Sequence, residues 1–216
     1  MRLVVFDLDG TITRSDTLLP YVAGYLARTP WRLLRLLGVV PALILYVLRR
    51  IDRGELKAAL MRRTLGGESR TALEAWSARF VERLLSGGVR RQALSAIEAH
   101  RRAGDLLVLM SASPDLYVPA IGGKLGFSET VCTAVRWDGD RFNGNLATPN
   151  RRGEEKSRCL EALKREHPGL PTLAYGNSSS DLPHLRLTDE PRLVNASAWA
   201  RRKAARAGIT LYAHWH

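Results

Sequence analysis

Two acidic residues near the start of the chain, Asp7 and Asp9, have the spacing and surroundings that catalysis by carboxylates requires. They directly follow residues 3–6, a continuous apolar run that is typical of a strand buried on both faces. At the end of such a strand, one carboxylate and a neighbouring backbone carbonyl can bind a hard cation while the second carboxylate reaches a substrate. Aspartates in turns also end strands and cap helices without any chemical role, so this segment alone leaves both interpretations open.

Three further polar groups have the chemistry to complete a site for phosphoryl transfer. Ser111 follows the apolar run 106–110, Lys156 stands near the start of a predicted helix, and the polar segment 176–181 follows the apolar run 172–175. Phosphoryl transfer requires a nucleophile, a metal, fixed donors and a proton shuttle, and each has a candidate here. Taken singly, the serine is typical of a cap, the lysine of a solvated surface and the segment of a polar loop.

The three apolar runs must belong to one sheet if these groups are to meet. Amphipathic helices are predicted between the runs, over 89–103 and 154–166, and this alternation indicates βαβ units with a parallel sheet. In open parallel sheets ligands bind beyond the carboxyl ends of the strands. The sequence therefore predicts an α/β fold in which the polar groups converge on one crevice.

Two further segments depart from this alternation. Residues 17–88 indicate several consecutive helices, so we expect an all-helical insertion between two parts of a core, 1–16 and 89–216. Residues 131–136 and 141–145 flank Asp-Gly-Asp and predict a small β-hairpin.

The polar segments together resemble the four motifs of the haloacid dehalogenase superfamily of phosphatases. Residues 7–11 (Asp-Leu-Asp-Gly-Thr) match the first motif, Ser111 the second, Lys156 the third and the segment 176–181 the fourth. Their order and their positions after strands make the resemblance specific. The helical insertion between the first two motifs is similar to the small cap of the phosphoserine-phosphatase-like branch, subclass IB.

The resemblance implies a Rossmann-like core with a parallel sheet flanked by helices, an essential Mg²⁺ and an aspartyl-phosphate intermediate. Asp7 would be the nucleophile, and Asp9 would protonate the leaving alcohol and then activate water. The residues implied to bind the phosphoryl group are Thr11, Ser111, Ala112 and Lys156. Those implied to hold the metal are Asp7, Asp9 (through its backbone carbonyl), Asn177 and Asp181.

Two positions bear on how closely this sequence follows the family. Asn177 stands where the family's fourth motif usually has its first acid; its amide still offers an oxygen to Mg²⁺, but one negative charge is lost. Asp16 falls where phosphoserine phosphatases place an acid near the substrate amine, which keeps small amino-phosphates open as substrates. The simpler interpretation of Asp16 is a cap for the helix that follows it.

The charge of the chain limits its partners to anionic ones. The formal net charge is +12, and between Arg28 and Arg63 nine Lys or Arg residues stand against two acids. No stacking motif or recognised binding module accompanies this charge, so we expect a phosphomonoester as the ligand and no nucleic acid. The two cysteines show no metal-binding or disulfide pattern and no signal peptide opens the sequence, which together favour the cytoplasm.

The insertion also contains the most hydrophobic segment. Its uncharged run, 36–48, has 13 residues and is too short to span a bilayer comfortably, since about 20 are needed. With arginines at both ends, this segment is suited to peripheral contact with an anionic membrane, which would place the protein at the cytoplasmic face of the inner membrane. The other interpretation is a buried helix of the cap. Branches that resemble this sequence in the cap and the Gly-Asn-Ser motif include bacterial phosphatidylglycerophosphatase C. This resemblance favours a lipid phosphate as the substrate. The alternative substrate is a soluble metabolite such as phosphoserine or histidinol phosphate.

Overall fold

The sheet that positions the candidate site is parallel, as the sequence predicts. The computed structural model describes residues 1–209 and 212–215. The main sheet has the strand order β3-β2-β1-β6-β7-β8, and every neighbouring pair is parallel. The eight strands of the described chain are β1 (Leu3–Phe6), β2 (Leu106–Pro114), β3 (Glu129–Thr133), β4 (Val135–Asp138), β5 (Arg141–Leu146), β6 (Thr172–Gly176), β7 (Glu190–Val194) and β8 (Tyr212–Ala213).

Helices cover both faces of this sheet, which confirms the predicted α/β class. Between α1 and α2 the chain forms a 3₁₀ helix, Pro30–Val39, that continues directly into α2. The α-helices are α1 (Leu18–Ala27), α2 (Val40–Val47), α3 (Arg53–Leu65), α4 (Arg70–Gly87), α5 (Arg91–Arg102), α6 (Val118–Leu125), α7 (Glu154–Glu166), α8 (Leu182–Leu185) and α9 (Ala198–Ala205).

The first strand lies at the centre of the sheet because its side chains are buried on both faces. Val4 and Phe6 face a core that includes α5, α6 and the insertion, whereas Leu3 and Val5 face α7, α8 and α9. Its register with both neighbours is uninterrupted, and the backbone N–H of Asp7 donates to the carbonyl of Tyr175 at 3.0 Å. The carboxyl ends of β1, β2 and β6 therefore meet at one edge.

The inserted helices pack directly on the core. Tyr21, Trp76 and Phe80 from the insertion form an aromatic cluster with Tyr117, which precedes α6. The chain enters and leaves the insertion side by side, because Thr13 and Val89 form an antiparallel bridge. The helices of residues 18–87 thus share one hydrophobic core with a face of the sheet, and the cavity between them is fixed by this packing.

The β-hairpin is present, but its predicted first arm is wrong. Residues 131–133 belong to β3, which pairs in parallel with β2 at the sheet edge. The hairpin pairs Val135–Asp138 with Arg141–Leu146. The apolar and β-branched residues of 131–136 can pair with either β2 or β5. Residues 131–133 pair with the free edge of β2, and only the residues from Val135 onward pair with β5.

The hydrophobic segment of the insertion lies on the surface. Pro30–Val47 is long and apolar enough to cross a membrane by length and composition alone, and none of its side chains is buried in the structure. Its first half is attached to the insertion by Glu68, whose carboxylate accepts hydrogen bonds from Arg32, Arg35 and Tyr25. The second half has no such polar attachment among the hydrogen bonds of the described residues, apart from those of its own backbone.

Candidate active site

A cavity of about 210 Å³ separates the carboxyl edge of the sheet from the inserted helices. The core supplies its acidic wall and the insertion supplies a mixed apolar and basic wall. Core residues in the lining include Asp7, Asp9, Ala112, Ser113, Asn150, Arg152, Lys156, Asn177, Ser178, Ser180 and Asp181, and those near or within the insertion are Asp16, Leu18, Leu19, Arg53, Leu56, Lys57 and Leu60.

Asp7 stands at the end of β1 with both carboxylate oxygens held by donors. Lys156 Nζ donates to Oδ1 at 2.6 Å, and the Thr11 hydroxyl donates to Oδ2 at 2.8 Å. Burial raises the pKa of Asp7 to about 7; the charge of Lys156 opposes this shift, and the carboxylates of Asp181 and Asp9 add to it. A divalent cation at this site would lower the pKa again and keep the carboxylate ionised.

Lys156 links the first and fourth motifs. It lies at the start of α7, is 2% exposed, and donates a second hydrogen bond to Asp181 Oδ1 at 2.8 Å. The other oxygen of Asp181 accepts from the backbone N–H and the hydroxyl of Ser178, at 2.9 and 2.7 Å. Burial would raise the pKa of Asp181, but the charge of Lys156 and these hydrogen bonds lower it below its ordinary value. Asp181 therefore fixes the loop of residues 176–181 around the lysine.

Asp9 is held by hydroxyl groups rather than by a cation. Its Oδ1 accepts from the backbone N–H and the hydroxyl of Thr17, each at 2.7 Å, and its Oδ2 accepts from the Ser113 hydroxyl at 2.7 Å. Burial raises the pKa of Asp9, while the hydrogen bonds from Ser113 and Thr17 oppose the shift. A carboxyl group with a raised pKa holds a proton more readily than an ordinary aspartic acid, which suits general acid and base catalysis.

Two of the residues implied to bind phosphate lie behind the cavity wall. Thr11 and Ser111 are both 0% exposed and neither lines the cavity. Thr11 orients Asp7, and the Ser111 hydroxyl accepts from the Ser113 N–H at 3.0 Å and lies 3.4 Å from Asp9 Oδ2. Ala112 does line the cavity. For Thr11 and Ser111, contact with a phosphate stays a prediction, and the observed contacts are with the two aspartates.

Asn177 lies directly against the turn that carries Asp9. Gly10 has a φ of +82°, and a Cβ at this position would stand 2.0 Å from Asn177 Nδ2. Only glycine allows this backbone conformation together with this approach. Asp7, Asp9 and Asn177 all line the cavity. Their hard oxygen donors fit Mg²⁺, and Asp181, which also lines the cavity, holds the loop through its bonds with Ser178 and Lys156.

Asp16 both caps a helix and borders the cavity. Its Oδ1 accepts from the backbone N–H of Leu18 at 3.0 Å and of Leu19 at 3.4 Å, at the start of α1. The structure therefore shows the capping contact that the sequence suggests, while the same carboxylate faces the site.

Several residues of the site have no signal in the sequence. Thr17 and Ser113, which hold Asp9, stand in ordinary polar surroundings, although both follow shortly after the motif residues. Lys57 and Arg53 belong to a regular helix that begins with a capping box, and Arg152 lies in a loop. Their proximity to Asp7 depends on how the insertion packs, so local patterns do not disclose it.

Comparison with known proteins places this geometry in a family. The family model for haloacid dehalogenase-like hydrolases matches residues 4–186. The chain belongs to this family. The match includes all residues that line the cavity.

Individual relatives extend this comparison. The chain is 36% identical to the protein CicA of Caulobacter vibrioides over 192 residues, which cover 87% of this chain and 83% of CicA. A crystal structure of a protein of unknown function from Bordetella pertussis superposes with a TM-score of 0.82 at 22% identity, covering 98% of each chain. A phospho-aspartyl intermediate analogue of phosphoserine phosphatase superposes with a TM-score of 0.66 at 15% identity, covering 94% of this chain and 90% of that one. These structures share the fold.

Proposed function

We propose that this protein is a Mg²⁺-dependent phosphomonoester hydrolase that acts through a phosphorylated Asp7. The observation that carries the proposal is the arrangement of Asp7, with its oxygens bonded to Lys156 and Thr11, beside the hydroxyl-bound carboxyl group of Asp9. Two carboxyl groups in such different surroundings suit different roles, one as nucleophile and one as proton carrier. The phosphoserine phosphatase structure to which the fold is similar is a phospho-aspartyl intermediate analogue, which supports the same assignment.

The residues of this chain divide the reaction into two displacements. A carboxylate oxygen of Asp7 attacks phosphorus, the bond from phosphorus to the alcohol oxygen breaks, and Asp9 gives its proton to that oxygen. Asp9 then takes a proton from water, whose oxygen attacks the same phosphorus and releases inorganic phosphate and free Asp7. Lys156 neutralises charge on the phosphoryl group and holds the Asp7 carboxylate in place.

Mg²⁺ would be held by the Asp7 carboxylate, the Asp9 carbonyl and the Asn177 amide, and when bound it would supply positive charge to the phosphoryl oxygens. Asn177 brings one negative charge fewer than an acid would, so we expect the affinity for Mg²⁺ to be modest.

Removal of the metal tests this assignment directly. We expect hydrolysis of phenyl phosphate to fall at least about a hundredfold with excess EDTA and to return when Mg²⁺ is added, because the charge on the phosphoryl group loses its main counter-ion. Inorganic phosphate release is the measurement, and far-UV circular dichroism in EDTA is the control for folding. Unchanged turnover in EDTA would contradict the metal assignment.

For the substrate, we propose an amphiphilic phosphate ester at a membrane surface. The large apolar side chains of the exposed segment face solvent: Leu34 is 69% exposed, Leu37 67% and Val47 71%. Exposed apolar surface on this scale marks an interaction site. Arg49 and Arg50 follow it directly, and residues 29–51 contain no acid, so the surface complements anionic lipid. Leu18, Leu56 and Leu60 give the cavity an apolar wall for the ester's lipid part.

Charge reversal at this surface tests the membrane contact. Arg49→Glu with Arg50→Glu should reduce co-sedimentation with vesicles of phosphatidylglycerol and phosphatidylcholine about tenfold or more at low salt, since each cation near an anionic surface contributes on the order of 1 kcal/mol. Activity on phenyl phosphate reports that the site is intact. Arg91→Glu with Arg165→Glu, at exposed positions on α5 and α7, makes the same change in net charge and serves as the control. If both pairs reduce binding equally, or neither does, this surface is not the contact.

A soluble phosphomonoester is the second candidate, and Asp16 favours it. Its carboxylate at the cavity suits the amine of a substrate such as phosphoserine. A panel of phosphatidylglycerophosphate, lysophosphatidate, phosphoserine and histidinol phosphate decides between the candidates. Preference for the two lipids, increased by anionic vesicles, supports the proposal and a place at the cytoplasmic face of the inner membrane. Preference for the soluble esters, without a response to vesicles, overturns it.

A further inference from the structure

Three cations of the cavity wall have no function in the reaction described above. Arg53 and Lys57 stand one helical turn apart on α3, in the insertion, and Arg152 lies in the loop before α7. All three line the same cavity as Asp7 and Lys156. They therefore bring together positive charge from both sides of the site.

None of these three cations forms an ion pair among the described residues. Lys57 Nζ donates to the carbonyl of Ala112 and to Asn150 Oδ1, both at 2.5 Å. Arg53 and Arg152 form no ion pair with any residue of the described chain (1–209 and 212–215). Lys156 differs from them, because its charge is already balanced by Asp7 and Asp181.

The cations lie close enough to repel one another. Burial lowers the pKa of Lys57 to about 8; Asp9 and Asp16 oppose this shift, and Arg152 and Arg53 add to it. Burial and the charge of Arg53 likewise lower the pKa of Arg152. Lys57 and Arg152 are partly buried, whereas Arg53 is exposed. Partly buried cations that form no ion pair are unfavourable, so Lys57 and Arg152 indicate an anionic ligand, and Arg53 adds a third cation to the same cavity wall.

Nearby carboxylates are engaged elsewhere. Glu55 accepts a hydrogen bond from the backbone of Asp52 and the Asp52 carboxylate accepts one from that of Glu55, in the capping box of α3. Glu155 forms ion pairs with Arg151 and Arg158. Asp16 borders the cavity, but one of its oxygens caps α1. Among the described residues, none of these carboxylates therefore forms an ion pair with Arg53, Lys57 or Arg152.

We infer that Arg53, Lys57 and Arg152 form a second anion-binding subsite, which selects phosphomonoesters that carry another anionic group, a phosphodiester or a carboxylate. The inference rests on the proposed function, because it places the reacting phosphate at Asp7. Arginine suits this purpose, since its planar guanidinium binds phosphate and carboxylate oxygens in pairs. Arg152 lines the cavity together with Asp7, so an ester bound there can present its second anion to this residue.

Matched substrates test the subsite. We compare n-propyl phosphate with two analogues that carry a terminal carboxylate or a terminal methyl phosphodiester. The wild-type enzyme should show a kcat/KM at least about tenfold higher for one or both analogues, and Arg152→Gln and Lys57→Gln should each reduce this ratio about tenfold, which is the effect of losing one charge-assisted hydrogen bond. The analogue with the larger kcat/KM relative to n-propyl phosphate shows whether the second anion is a carboxylate or a phosphodiester. Arg91→Gln, at an exposed position on α5, is the control and should leave the ratio unchanged.

Other outcomes separate this inference from the proposed function. Mg²⁺-dependent hydrolysis with equal kcat/KM for all three esters overturns the subsite and leaves the phosphatase standing. If Arg152→Gln and Lys57→Gln lower kcat/KM equally for n-propyl phosphate and for the analogues, the subsite is also overturned, because the cations would then bind the reacting phosphate. If no ester is hydrolysed, calorimetry with Asp7→Asn measures binding without turnover, and equal Kd values for the three esters overturn the subsite. Arg152→Lys keeps the positive charge that Arg152→Gln removes. If Arg152→Lys restores the kcat/KM ratio and has the Tm of the wild type, the loss in Arg152→Gln is due to the missing charge and not to misfolding.

Discussion

Replacing Asp7 by asparagine is expected to lower the rate of phosphate release by at least about a thousandfold, because the amide oxygen is a poor nucleophile and no second carboxylate lies in the same position. Asp9 cannot substitute, since its hydrogen bonds with Thr17 and Ser113 fix it in a position different from that of Asp7. The loss should appear in kcat, with a smaller effect on KM. The measurement is steady-state release of inorganic phosphate with saturating Mg²⁺.

The same variant should remain folded. Asparagine keeps the shape of Asp7 and an oxygen for the hydrogen bond from Lys156, and it removes a buried carboxylate whose pKa burial raises. We therefore expect a Tm close to that of the wild type. Asp16→Asn, which changes another acid of the cavity, is the matched control and should cost far less activity. Turnover near the wild-type rate in Asp7→Asn would refute the nucleophile assignment.

The position of the site was predictable because it depends on the centre of the sheet. Residues 3–6 are apolar without interruption, and a strand buried on both faces requires this composition. Once β1, β2 and β6 are recognised, their parallel arrangement brings Asp7, Ser111 and the segment 176–181 to one edge. Lys156 follows from α7, whose predicted and observed ranges agree.

Details that depend on packing between distant segments were not predictable. Residues 131–133 joined the sheet edge because β2 offered them a parallel partner, and nothing local distinguishes that partner from the hairpin. Thr11 and Ser111 lie behind the cavity wall, which reflects the direction of their side chains. Lys57 reaches Ala112 across 55 positions of the sequence, and only the packing of α3 against the core brings the two together.

The exposed segment shows how the sequence left two interpretations open. Its composition fits either a buried cap helix or a membrane-facing surface, because both require apolar residues. The structure leaves the segment unburied, while Glu68 fixes its first half through Arg32 and Arg35. A surface that is apolar, bordered by cations and attached at one end is poorly explained by packing within this chain, and this supports the proposed contact with lipid.

Replacing Lys156 by methionine should damage both stability and catalysis. The ammonium group of Lys156 lies 2.6 Å from Asp7 and 2.8 Å from Asp181, and all three side chains are buried. Methionine fills a similar volume but leaves two carboxylates without their counter-ion, and breaking a buried ion pair in this way typically costs about 3–5 kcal/mol. We expect a loss of this size in the free energy of unfolding, measured in urea at pH 8 without metal, and at least a hundredfold loss of phosphate release.

The dependence on pH and metal separates this effect from a simple packing defect. With the lysine gone, the pKa of Asp7 should rise further above its value in the unfolded chain, so the variant should lose stability as the pH increases from about 5 to about 8. Mg²⁺ should restore part of this stability, because a cation beside Asp7 replaces some of the missing charge. Arg158→Met, at an exposed position on the same helix, should depend on pH and Mg²⁺ as the wild type does. A deficit in Lys156→Met that is independent of both pH and Mg²⁺ would mean that the lysine stabilises the fold by packing, and that its charge does not hold the site together.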